Sequence, residues 1–144
     1  MTEQSREVHP NALPNYQSAV IPREKLEKYA LNPKHVSRLY GSSSGQDKAQ
    51  VFKSALGFDV SNWELLQQCI LDELPYYEAF LRKETAYGFE YTVIISVTGP
   101  NLNTAEVLTG WIILHGSDYP RLTTARVITE KEAGYDKYKN DPRK

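Results

Sequence analysis

The sequence has 144 residues, 24% of them charged and 11% aromatic, with a formal net charge of -1. That length fits one domain with a hydrophobic core of its own, and the near-neutral balance argues against a strongly basic nucleic-acid binder. One cysteine, Cys69, excludes an internal disulfide; no cysteine–histidine cluster suggests zinc, and no run of about 18 apolar residues marks a membrane span.

Residues 1–14 are polar or proline-bearing, show no hydrophobic period and read as a flexible leader. They contain no apolar stretch of the secretory type, so the expected setting is cytoplasmic. Ser18-Ala19-Val20-Ile21 reads as a short strand or extended segment. Pro22 suits the first position of a helix, where its missing N–H costs nothing. Leu26, Tyr29 and Ala30 share one face of that helix, and Asn32-Pro33 stops it.

A Ser- and Gly-rich loop follows over 33–45. Ser44 and Asp47 have the spacing of a helix cap. Ala49, Phe52 and Leu56 fall on one face of the next helix, which Gly57 ends. Ser61 and Glu64 give a second capping signal. The helix after it buries Trp63, Leu66, Ile70 and Leu74 before Pro75.

The remainder reads as antiparallel sheet. Tyr76 to Leu81 is one strand. Tyr91, Val93, Ile95 and Val97 alternate with Thr92, Ile94 and Ser96 in a second. Residues 98–103 form a hairpin loop, 104–114 a third strand, 115–118 a turn and 122–128 a fourth. The segment 129–144 is charged, poor in apolar residues and reads as a flexible tail. Helices first and strands last give an α+β domain over 15–128, with N-terminal helices packed on a C-terminal antiparallel sheet of about four strands. No Rossmann or P-loop glycine spacing is present, which sets aside dinucleotide enzymes and Walker-type NTPases.

The charge distribution is less bland than the total. From Pro33 to Leu56 the cations Lys34, Arg38, Lys48 and Lys53 face only Asp47. From Asn62 to Phe80 stand Glu64, Asp72, Glu73 and Glu78 with no cation. His35 is the candidate proton acceptor, because an imidazole takes up and returns a proton near neutral pH. Lys34 and Arg38 beside it would attract an anion and favour the neutral ring. Otherwise His35 is a surface histidine next to a loop.

Lys48, in the first turn of its helix, can add charge to an end that already favours anions, or can be an ordinary solvated lysine. Arg121 can grip a phosphate through two parallel hydrogen bonds. If Ala125 and Val127 face the core, Thr123 joins them, and Thr124 shares the open face with Arg126. Trp111 and Trp63 are core candidates first; Trp111 could instead stack a base from a concave sheet face. His115, His9 and Cys69 read as a turn residue, a leader residue and a packing residue.

An ordered set of segments carries a resemblance. It comprises Leu13-Pro14-Asn15, Ala19-Val20-Ile21-Pro22, Lys25-Leu26, Tyr29-Ala30-Leu31-Asn32-Pro33, Lys48-Ala49 with Phe52, Leu56-Gly57-Phe58, and Trp63 with Leu66. It continues with Tyr91-Thr92-Val93, Thr98-Gly99-Pro100-Asn101, Thr109-Gly110-Trp111-Ile112 and Pro120-Arg121-Leu122-Thr123-Thr124. From Leu13 to about Ile128 the chain resembles a family of bacterial domains of unassigned function. These occur beside a small partner protein, at the C-terminus of polymorphic toxins and in phage minor capsid proteins. That family in turn looks like the barnase/RelE-type toxin nucleases in layout.

The resemblance implies a metal-independent ribonuclease toxin, with no cofactor, RNA as substrate and a cognate antitoxin or immunity protein as partner. Its implied catalytic set is His35, Lys48, Arg121 and Thr124, with Lys34, Arg38, Trp111 and Arg126 as substrate contacts. Arg126 stands where an aromatic residue is expected and Thr123 where an apolar one is. The alternatives are a non-catalytic binding or phage-assembly module, and an antitoxin-like role suggested by the acidic helix from Asn62 to Leu74.

Overall fold

A computed structural model describes residues 6–33 and 44–128, with side chains from residue 48 onward in the second stretch. His35, Lys34 and Arg38, the Ser44–Asp47 cap and the tail over 129–144 lie outside the described residues.

Among the described residues two α-helices precede a four-stranded sheet: α1 Ser44–Leu56, α2 Trp63–Glu73, β1 Ala79–Glu84, β2 Gly88–Thr98, β3 Thr104–Leu114 and β4 Arg121–Ile128. The strands lie in sequence order β1-β2-β3-β4, and every neighbouring pair is antiparallel. This is the meander that short connections between consecutive strands produce. The fold class is α+β.

Alternation sorts the strands onto two faces. Val93, Ile95, Val97, Val107, Trp111, Leu122 and Ala125 point one way and form the main core with Leu26, Phe52, Leu56, Leu66 and Ile70. Ile94, Leu108 and Ile128 form a small buried cluster of their own. They hold the alternate positions, on the opposite face.

Several expectations shift. The helix after Pro22 is a wide π-type turn over Lys25–Ala30, closed by the Leu31 N–H donating to the Leu26 carbonyl at 2.9 Å. Residues 18–21, read as a short strand or extended segment, follow a 3-10 turn at Tyr16–Ser18 and make a single parallel bridge from Val20 to Arg121. That bridge uses the Val20 N–H on the Pro120 carbonyl and the Leu122 N–H on the Val20 carbonyl, both at 2.9 Å.

The Ser61–Glu64 cap is replaced by a reciprocal box two residues earlier. The Asp59 carboxylate accepts from Ser61 N–H, and Asn62 Oδ1 accepts from Asp59 N–H at 2.8 Å. Residues 74–76 form a 3-10 turn, so β1 starts at Ala79 rather than Tyr76.

Residues 6–14 are held at several points. Arg6 pairs with both oxygens of Glu73 at 2.9 and 3.1 Å and lies over the Tyr76 ring. His9 N–H donates to the Pro75 carbonyl, the Asn11 carbonyl accepts from Ala79 N–H, and Leu13 is buried in the main core. A single large apolar anchor, set between Ala12 and Pro14, has no period to betray it.

The hairpin loop between β2 and β3 clasps the end of α1. Asn101 N–H donates to the Leu56 carbonyl and Asn101 Nδ2 to the Ala55 carbonyl, both at 3.3 Å. These are carbonyls that the last turn of a helix leaves without intrahelical partners. The close approach requires Gly99, where a Cβ would stand 2.0 Å from the Leu56 oxygen.

Candidate functional site

Two irregularities in the ladder shape the face opposite the helices. Along β1 the register shifts between Leu81 and Lys83, which leaves Arg82 as the extra residue. Along β4, Trp111 pairs with Leu122 and Gly110 with Thr124, so Thr123 is extra. Two consecutive residues opposing one is a β-bulge, which bends the strand and re-aims its side chains.

Leu122, not Thr123, therefore takes the core position. Thr123 is exposed, and its hydroxyl and the Thr124 methyl both crowd the position above Gly110. The physical reason is apolar area: burying a leucine is worth about 1.5–3 kcal/mol relative to leaving it exposed.

An open cleft of about 480 Å³ lies on this face, lined by residues of all four strands. Thr92, Gly110 and Thr124 form a row across β2, β3 and β4, because each is the register partner of the next. Arg82 closes one end, its guanidinium donating to Thr92 Oγ1 at 2.7 Å. Lys48 of α1, itself outside the described lining, donates from its ammonium to Thr124 Oγ1 at 3.3 Å on the opposite side. Arg126, two residues along β4, lines the same cleft. Glu90, its one carboxylate among the described lining, is the register partner of Lys83.

The electrostatics favour an anion. Partial burial, and then the Arg126 guanidinium, lower the Lys48 pKa below that of an ordinary lysine. A phosphate between the two cations would relieve that repulsion. Among the described residues, no group of three or more His, Cys, Asp or Glu side chains is placed to hold a metal ion.

The structure thus brings together Lys48, Thr124 and Arg126 of the sequence candidates. Arg121 is exposed and pairs with Ile112, which puts it on the same face two positions beyond Gly110 but outside the described cleft lining. Trp111 is 1% exposed; its indole N–H donates at 2.8 Å to Thr109 Oγ1, which in turn donates to the Val93 carbonyl. Its side chain belongs to the core, the first of its two readings. His115 stands against the Phe89 ring and 3.3 Å from a Glu84 carboxylate oxygen, away from the cleft lining.

Sequence reasoning missed Arg82, Thr92, Lys83 and Glu90. The period-two pattern of β2 placed Thr92 opposite Val93, and that signal could have found the open face. Arg82 fell beyond the expected end of β1.

No curated protein matches the chain, and no solved structure does. The model of a family described as a domain of unknown function (DUF6883) matches residues 12–129, which is most of the chain and includes the whole sheet and its cleft. The chain belongs to that family.

Proposed function

We propose that the cleft binds the phosphodiester backbone of RNA and that the domain cleaves it without a metal, as the toxin of a toxin–antitoxin or toxin–immunity pair in the cytoplasm. The observation that carries the reading is the meeting of Lys48 with Thr124 beside Arg126, in an open polar cleft with a further arginine at its far end. Helices on one face of an antiparallel sheet and cations on the other suit a barnase/RelE-like layout. Cations and hydroxyls that sit against a sheet are pre-positioned for a phosphate.

The chemistry follows from RNA itself. His35 takes the proton from a ribose 2′-hydroxyl, and the 2′-oxygen attacks the adjacent phosphorus. The bond to the 5′-oxygen of the next nucleotide breaks, and that oxygen takes a proton from water. The products are a 2′,3′-cyclic phosphate and a 5′-hydroxyl. Lys48 and Arg121 stabilise the charge that builds on the phosphate, and Thr124 orients one of its oxygens. The attacking group belongs to the substrate, so no cofactor enters. Lys34 and Arg38 add charge near the imidazole. The cognate antitoxin or immunity protein is the expected partner.

The test is incubation of wild type, His35→Ala and Lys48→Ala with total cellular RNA and a chelator. Loss of a general base costs about 100- to 10,000-fold, so His35→Ala is expected to be nearly silent. Equal cleavage by wild type and His35→Ala removes His35 from the mechanism. RNA binding without cleavage by the wild type makes the domain a binding module.

A further inference from the structure

We infer that Arg82 and Thr92 form a second phosphate subsite, so that the cleft takes a nucleic-acid strand across β2, β3 and β4 rather than one terminal phosphate. This rests on the reading of the cleft as an RNA site and adds the substrate's minimum length. Arg82 is held on the Thr92 hydroxyl at 2.7 Å, and Lys48 on the Thr124 hydroxyl at 3.3 Å. Thr92 and Thr124 are the register partners of Gly110 on its two sides. Two strand spacings separate them, about 10 Å.

A span of about 10 Å is wider than one phosphate group covers on its own. Successive phosphates on one strand can cover it, with the intervening ribose passing above the Thr123 and Thr124 side chains that cover Gly110. The two ends are built alike, a threonine hydroxyl accepting from a cation. They come from different devices, a bulge in β1 and a helix packed beside β4. The Glu90 carboxylate is the register partner of Lys83 in the ladder.

The experiment measures binding of inorganic phosphate and of a 2′-O-methyl RNA octamer, which cannot be cleaved, to the intact chain at several salt concentrations. The variants are Arg82→Gln, Arg82→Lys and Lys48→Ala. Arg82→Gln is expected to weaken the octamer by about tenfold, as for loss of a charged hydrogen bond. It should also flatten the log–log salt dependence by about 0.7, the value of one phosphate contact on a single strand.

Inorganic phosphate at the Lys48 site should be unaffected by Arg82→Gln and weakened by Lys48→Ala. Arg82→Lys keeps the charge and should keep the salt slope. An octamer affinity and slope that Arg82→Gln leaves unchanged, while Lys48→Ala lowers both, would overturn the second subsite and leave the first standing. A wild type that binds neither ligand would overturn the RNA reading and the subsite together.

Discussion

Gly110 and Thr124 face each other across β3 and β4, and a methyl group on Gly110 would lie 2.8 Å from Thr124 Cγ2 and 3.0 Å from Thr123 Oγ1. The bulge pushes two threonines over one position, and only a residue without a side chain fits beneath them. Gly110→Ala should therefore cost about 1–3 kcal/mol of stability, the usual range for overpacking. A urea midpoint equal to wild type would mean that both threonines turn aside freely.

Lys48 makes stability depend on pH. Its pKa in the folded protein lies below the ordinary lysine value of 10.5, through burial first and Arg126 second. Between the lowered value and 10.5 the unfolded chain holds a proton that the native protein has released, so stability rises with pH across that window. Below the lowered value the cost is fully present. Lys48→Met should thus melt higher than wild type near neutral pH, with the gap narrowing as pH climbs towards 10.5. A gap that is constant with pH would show that the lysine charge carries no such cost.

Trp111 should report on the core and not on RNA. With 1% of its surface exposed and its N–H bonded to Thr109, its emission should resist iodide quenching in a Trp63→Phe background. Adding RNA should leave that emission unchanged. Trp111→Ala should cost about 3–5 kcal/mol, as for other large buried aromatics. Quenching by RNA would put the ring in the binding face instead.

The clasp on α1 separates two kinds of loss. Asn101→Ala removes the side-chain bond to the Ala55 carbonyl but keeps the backbone bond to Leu56, and should cost about 1 kcal/mol. Gly99→Ala drives a Cβ to 2.0 Å from the Leu56 oxygen, which is backbone and cannot rotate away. Thermal melts should therefore rank Gly99→Ala as the more damaging. The reverse order would mean that the loop relaxes away from the helix without penalty.

Much of the fold is written in the period of the sequence. The alternation from Tyr91 to Val97 gave β2, and β3 fell at the expected 104–114. The spacing of Leu66 and Ile70 gave the buried face of α2. What stayed hidden depends on competition between distant parts. Nothing local to Thr123 announces a bulge; it arises because Leu122 and Ala125 both reach the core, and an odd number of steps separates them. Leu13 shows no pattern because one anchor has no period. Lys48 and Thr124, 76 residues apart, came together in the sequence reading only through a family resemblance, since spacing cannot bring a helix to a strand. Arg82 was invisible because β1 runs three residues past its expected end, in a stretch whose charges resemble a loop.

The extra residue in β4 also leaves intact the phase of what precedes it. The bulge absorbs one added residue, so Arg121 and Leu122 keep the facing directions of an unbroken strand. Deleting Thr123 alone would leave Leu122 opposite Trp111 and Arg121 opposite Ile112, with Leu122 still turned to the core. The Val20 bridge, anchored on the backbone at 120–122, would keep its partners. A one-codon loss at this position is therefore a milder lesion than loss of the core-facing Ala125 from the same strand.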